Sequence, residues 1–329
     1  MPNLTCASPD ERARIATLNF VISQFVDLIA GLLTFIFTYP AVQLVWKKSI
    51  FQWSTKTLIL QMLFYANLLQ ISYGIEAIVV LYKHFFMLND TCNLLQTEAH
   101  CAPYFKVLLA ATSGMIYGQT GLMIERACAT FLKSYNNRKS LVISCSIAFL
   151  VLIGSSMSGS ILLWDDPLDK AVIGCFIFPS ASSARSIRFL IVCTLFTLFN
   201  LAVSILLMHY NKKFEYATRF NVNARFRKRE AIDSTGTVCF LAFSLFILML
   251  IYSVGVAVLR TIKSTMTAAD FYFWIVWFYT IPFIAMLLPI LLIYRIRSTR
   301  QDRIQFILDY TSVKLSQDAH MKQIKSMWS

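Results

Sequence analysis

Seven long apolar stretches decide what this chain can fold into. They cover residues 20–46, 57–82, 103–126, 140–163, 186–210, 235–258 and 271–294. Each exceeds the roughly 20 residues that a helix needs to cross a bilayer. The runs are continuous and bounded by charges, whereas barrel strands would alternate in shorter pieces, so the spans read as helices. Composition agrees: 57% of the 329 residues are hydrophobic and 14% are charged, against about a quarter charged in soluble domains. The expectation is an all-α membrane protein, a seven-transmembrane helix bundle. It has an extracellular segment 1–19, a membrane domain 20–294 and a cytoplasmic tail 295–329. The opening "MPNLTCASPDERARIATLN" lacks the apolar centre of a cleavable signal peptide. The first span is therefore expected to target the chain and to stay in it. No separate soluble domain and no internal repeat is expected.

Lys and Arg collect on the cytoplasmic side of membrane helices. With the N-terminus outside, the inner segments 47–56, 127–139, 211–234 and 295–329 hold three, three, seven and seven of them. Nine fall in the outer segments and the helix ends beside them, and Arg126 sits at a boundary. The sorting predicts an N-terminus outside and a C-terminus in the cytoplasm. It also makes the net charge of +13 a topology signal. A nucleic-acid footprint would gather such charge on one soluble face, so no nucleic-acid partner is expected. Both Asn-x-Ser/Thr sequons, at Asn3 and Asn89, fall outside in this arrangement, where glycosylation occurs. Cys6, Cys92, Cys101 and Cys175 fall on the same, oxidising side. Four cysteines allow three pairings, and the sequence does not choose among them. Cys128, Cys145, Cys193 and Cys239 read as small packing residues.

The stretch "GMIYGQTGLMIERACATF", Gly114 to Phe131, closes the third span with an acid beside a base, Glu125 and Arg126. Cys101 lies 25 residues earlier, or about 38 Å along a helix, enough to cross the hydrocarbon. A charge in hydrocarbon is costly and usually functional. The plain alternative is a snorkelling anchor at the inner interface. Adjacent helical positions point about 100° apart, so Glu125 and Arg126 are not expected to make an ideal forked pair. Arg126 is instead expected to reach Glu230 or Asp233 at the start of the sixth span. Gly114 and Gly118, and "GSSMSGS" (Gly154–Ser160), are small-residue steps suited to close helix approach.

A cysteine at the mouth of the third span, Glu-Arg at its other end and Cys175 in the next outer loop resemble rhodopsin-like G-protein-coupled receptors. The narrower resemblance is to the nematode serpentine receptor class alpha chemoreceptors. It is carried by "CASPDERARIATLNFVISQF", "GQTGLMIERACATF", "YNKKFEYATRFNVNARFRKREAI" and "LPILLIYRIR" and covers nearly the whole chain. The resemblance implies a chemosensory receptor in the plasma membrane of sensory neurons, with a small-molecule ligand outside and a heterotrimeric G protein inside. It implies a Cys101–Cys175 disulfide, which leaves Cys6–Cys92 as a second pair. It also implies that Arg126 lies where the G protein docks. The charge of Arg227, Lys228 and Arg229 opposite it suits either a lipid-facing loop or a docking surface, and Glu125, Glu230 and Asp233 join them as candidate coupling residues. The sequence departs from the broad rhodopsin-like pattern. The sixth span lacks proline and tryptophan, the seventh has Pro289 and Tyr294 with four residues between them, and "ACATF" follows Arg126.

Candidate ligand-pocket residues are Glu76, Thr112, Ser113, Trp274 and Tyr279. Asp27 and Glu76 lie in the outer parts of their spans. There they are either hydrated, paired with Arg188 or Arg260, or placed to attract a cationic ligand. Thr112 and Ser113 can bond a ligand or the carbonyl four residues back. The aromatic run "FYFWIVWFYTIPF" supplies an interfacial belt and, from its inward rings, pocket wall. Ile304, Ile307 and Leu308 share one helical face beyond Tyr294, which predicts a short amphipathic helix lying on the inner membrane surface. Four scattered histidines and no H-E-x-x-H, P-loop or G-x-S-x-G motif give no expectation of an enzyme, a metal or a cofactor. The alternative reading is a seven-helix ion channel or transporter, which would want a polar path or broken helices.

Overall fold

The computed structural model describes residues 6–48, 51–90, 92–132, 137–175, 179, 181–217, 222–262 and 265–327. A short helix α1 (Pro9–Ala16) precedes α2 (Leu18–Gln43), which ends in a π-helical turn (Leu44–Lys48). There follow α3 (Trp53–Phe86), β1 (Gln96–Thr97), α4 (Glu98–Phe131), α5 (Asn137–Leu162), β2 (Ala171–Val172) and α6 (Ser183–Ala217). The chain closes with α7 (Val222–Ile262), α8 (Ala268–Phe278) and α9 (Ile281–Met327). Among the described residues, seven segments are long and apolar enough to cross a membrane, the last running over Phe273–Gln305 through both α8 and α9. Each expected span falls on one of them.

α4 sits at the centre. About 72% of its central window is buried, against 28–56% in the other six, and it packs on α3, α5, α6 and α7. Its small residues allow this. A Cβ on Gly114 would stand 2.5 Å from the Tyr65 ring of α3, and one on Gly159 of α5 would stand 2.7 Å from the Lys106 backbone of α4. Those approaches are closed to any larger side chain. Tyr65 then reaches past α4 to Ser155 of α5, hydroxyl to hydroxyl at 2.7 Å.

One end of the bundle is capped and cross-linked. α1 starts with a capping box in which the Ser8 hydroxyl and the Glu11 carboxylate exchange bonds with each other's backbone N–H. Ile15 and Phe20 pack with Val80, Leu94 and Ile173 into a small core over this end. Cys6 is bonded to Cys92, and Cys101 to Cys175. β1 and β2 form a two-stranded antiparallel ladder, Gln96 opposite Val172 and Thr97 opposite Ala171. It lays the loop after α5 across the mouth of the bundle.

Two helices differ from expectation. The seventh span is broken at Tyr279 and Thr280, between α8 and α9. Pro282, at the second position of α9, has no N–H, and its ring opposes a carbonyl four residues back at Phe278. The Thr280 N–H takes that carbonyl instead, at 2.9 Å. Pro289, which the sequence makes conspicuous, lies inside α9 without ending it. The separate helix expected after Tyr294 is not a separate element: α9 continues unbroken to Met327. No Gly or Pro occurs between 290 and 327 to stop it, and Arg303 ties it to Asp233 of α7.

Candidate functional site

At the end opposite the disulfides, three helices meet in one polar cluster. Glu125 and Arg126 of α4 are 0% and 3% exposed. The guanidinium grips its neighbour's carboxylate with one edge, Nε to Oε2 at 2.6 Å and Nη2 to Oε1 at 2.5 Å. The carboxylate also accepts from Ser54 at 2.6 Å and Thr55 at 3.1 Å, the buried hydroxyls that begin α3. Arg126 Nη1 donates to the Ser234 hydroxyl of α7 at 3.1 Å. A buried charge is stable only when paired and hydrogen-bonded, and this set supplies both requirements.

The expected partner of Arg126 is thereby corrected. Its acid is Glu125, and its contact on α7 is a hydroxyl. Asp233 faces the other way and takes Arg303 of α9 through Nε and Nη2, at 2.8 and 2.6 Å. The 100° separation of neighbouring Cβ directions does not prevent the fork. Both side chains are long enough to curve together once the α3 hydroxyls fix the carboxylate. Arg227, Lys228, Arg229 and Glu230 lie on the α7 helix, and their side chains are outside the described residues. Ser54, Thr55 and Ser234 were missed by sequence reasoning. Hydroxyl residues in helices are too common to signal a site, and only their position against a buried carboxylate or guanidinium distinguishes these.

Further polar contacts tie α4 to the helices around it. Gln119 Nε2 donates to the Val238 carbonyl of α7 at 3.0 Å, and Asn200 of α6 donates to Thr120 at 2.9 Å. Asn211 of α6 donates to Thr130 at 3.2 Å, and Thr130 in turn donates to the Arg126 carbonyl at 2.8 Å. Between this level and the disulfide end, Met62, Met115, Leu241, Leu245, Leu248 and Ile284 line an apolar cavity of about 20 Å³. That is room for little more than one water-sized guest.

The candidate pocket residues separate into groups. Glu76 is buried and accepts the Cys175 backbone N–H. Lys83, also buried, donates to the Ile173 carbonyl at 2.9 Å and lies within electrostatic reach of Glu76. Glu76 thus holds the cross-linked loop and meets Lys83, in place of the expected Arg188 or Arg260. Thr112 and Ser113 are buried and turn their hydroxyls to the carbonyls of Leu108 and Leu109, at 3.0 and 2.7 Å. Trp274 is 47% exposed and packs on Phe273 and Phe278, outside the bundle interior. Tyr279 points inward at the helix break, edge-on to Tyr73 and Tyr252 with centroids 5.5 and 5.3 Å away. Asn89 is exposed beside α1, where its side-chain oxygen accepts from Arg12 at 3.2 Å. Asn3 lies outside the described residues.

A family profile described as "Serpentine type 7TM GPCR chemoreceptor Sra" matches residues 1–328. The chain belongs to the serpentine receptor class alpha family of chemoreceptors. Relatives from Caenorhabditis elegans align with it end to end. Serpentine receptor class alpha-9 is 59% identical, class alpha-6 is 53% identical and class alpha-8 is 50% identical, each with the whole of both chains covered. All three are named as receptors. In this serpentine receptor the third span is the helix that carries both the cross-linked cysteine and the Glu125–Arg126 cluster. It connects the two ends of the molecule without a break.

Proposed function

We propose that the chain is a chemosensory G-protein-coupled receptor of the plasma membrane, in sensory neurons. A small molecule bound toward the disulfide end shifts the helices and activates a heterotrimeric G protein at the Arg126 end. In this reading the disulfide end faces outward, with glycans on Asn3 and Asn89. The Arg126 end and the basic 211–234 segment, including Arg227, Lys228, Arg229 and Glu230, face the cytosol, as the Lys/Arg sorting favours.

The observation that carries the reading is the buried junction of α3, α4 and α7 around Glu125, Arg126 and Ser234. It is a compact set of bonds between helices, of the kind whose exchange separates two packed states. Among the described residues, Arg126 contacts α7 through a single hydrogen bond, to Ser234. Movement of α7 breaks that bond while Arg126 keeps Glu125. The test is nucleotide exchange on purified G protein by the full-length receptor in vesicles. A hydrogen bond to a charged group is worth about 1.5–3 kcal/mol, so Ser234→Ala is expected to raise ligand-free exchange several-fold. If neither wild type with a panel of volatile and water-soluble odorants nor Ser234→Ala promotes exchange, the reading fails.

The break at Tyr279–Thr280 favours one second reading, because interrupted helices also build the sites of transporters. Ion or solute flux in vesicles free of G protein would establish that reading and displace the first.

A further inference from the structure

Beside the break in the seventh span, polar groups gather that neither the cluster at Arg126 nor the outer loop uses. On α2, Phe20, Gln24, Ala30, Gly31, Thr34 and Ala41 are buried, a stripe at helical spacing that faces the bundle. Asp27 sits within that stripe, half-buried, three residues from Gln24 and four from Gly31. No hydrogen bond or ion pair reaches it from the described residues. Opposite, α3 presents Gln70, 1% exposed, and Tyr73, 4% exposed, on successive turns. Gln70 donates through Nε2 to the Pro282 carbonyl at 2.6 Å. Its Oε1 has no partner, and it points at α2, 3.8 Å from where a Cβ on Gly31 would stand. The Tyr73 and Tyr104 hydroxyls are buried without partners as well. Tyr104 lies within electrostatic reach of both Glu76 and Asp27, and Tyr279 within reach of Asp27.

We propose that Asp27, Gln70, Tyr73, Tyr104 and Tyr279 form a binding site for a small organic monocation, between the first, second, third and seventh spans. Buried polar atoms are nearly always bonded, and three here are waiting for a partner. The charge count fixes the sign. Glu76 is offset by Lys83 and the Cys175 amide, whereas Asp27 has no counter-charge among the described residues. A single positive charge balances an ionised Asp27, which is half-buried and costly to leave uncompensated in an apolar surrounding. The walls fix the class. Tyr73, Tyr252 and Tyr279 present aromatic rings, whose faces attract an ammonium group. A hard divalent ion wants six or more oxygens and more negative charge. No set of three His, Cys, Asp or Glu suited to a metal occurs among the described residues. The non-helical backbone at Tyr279–Thr280 fits the same place, because such backbone is tolerated at membrane depth only in a protein interior or beside a cavity.

The inference deepens the receptor reading and rests on it for its biological meaning, but its test needs no G protein. Full-length receptor in detergent is melted with a panel of alkyl- and arylalkyl-ammonium ions, from tetramethylammonium to phenethylammonium. Each is paired with its neutral isostere, such as 2-phenylethanol, at matched sodium chloride. Ammonium members are expected to raise the melting temperature by roughly 2–4 °C, as a stabilisation of about 1 kcal/mol does in a chain of this size. The neutral members are not, and Asp27→Asn is expected to abolish the shift. Equal stabilisation by the neutral isosteres, by sodium chloride alone, or in Asp27→Asn overturns the site, as does a panel without effect. Should Asp27→Asn fail to fold, the comparison of charged and neutral probes on wild type still decides, with Tyr73→Leu expected to weaken the shift. Loss of the charge-selective shift removes this site while nucleotide exchange still stands; loss of exchange removes the receptor reading while the shift still stands.

Discussion

Glu125 and Arg126 are adjacent in sequence and partners in space, which gives them an unusual energetic standing. Removing one member of a buried pair leaves the other uncompensated, at a cost of about 3–5 kcal/mol, whereas apolar replacement of both is often nearly neutral. Glu125→Leu and Arg126→Met are therefore each expected to lower stability by that amount. Glu125→Leu with Arg126→Met is expected to lose far less than their sum. A double-mutant cycle on detergent melting checks this, and additive losses would show that the fork contributes little. The pair itself was legible in the sequence, because charges at the end of an apolar run are conspicuous. Its geometry was not. Helical spacing gives the direction of Cβ, but the ends of two long side chains go where desolvation and the Ser54 and Thr55 hydroxyls send them.

At the level of helices, hydropathy located all seven spans because lipid demands long apolar runs with internal hydrogen bonding. The same signal was blind to what happens at polar or mixed positions. It missed the break at Tyr279–Thr280, since a proline early in an apolar run can either kink a helix or simply begin one. It missed α1 and the β1–β2 ladder, which are too short and too dependent on the cross-links to show a period of their own. It stopped the seventh span near the bilayer edge, where α9 continues because nothing in the chain ends it. A local cause for the break makes a local prediction. Pro282→Ala restores a donor to the Phe278 carbonyl and removes the ring. Hydrogen exchange at Thr280 and Ile281 is expected to slow as α8 and α9 join. Unchanged exchange there would place the cause of the break in the Tyr73–Tyr279–Tyr252 packing instead.

Across the whole molecule, the two disulfides divide the chain unevenly. Their loops close 86 and 74 residues, and both lie before residue 176. The helices α2 to α5 thus belong to a part whose connections are covalently shut, while α6, α7 and α9 are held by packing and polar contacts alone. This is where the Ser234 contact, the Asp233–Arg303 pair and the broken span all reside, or make one of their two ends. The division has a mechanical signature. Pulled from its C-terminus out of a bilayer, the chain should first release α9, α7 and α6 at full contour length. The remainder should then come out short, with on the order of 30 nm withheld by each closed loop at about 3.6 Å per residue. Adding reductant should lengthen only the late part of the force–extension trace, leaving the early sawtooth of the last three spans untouched.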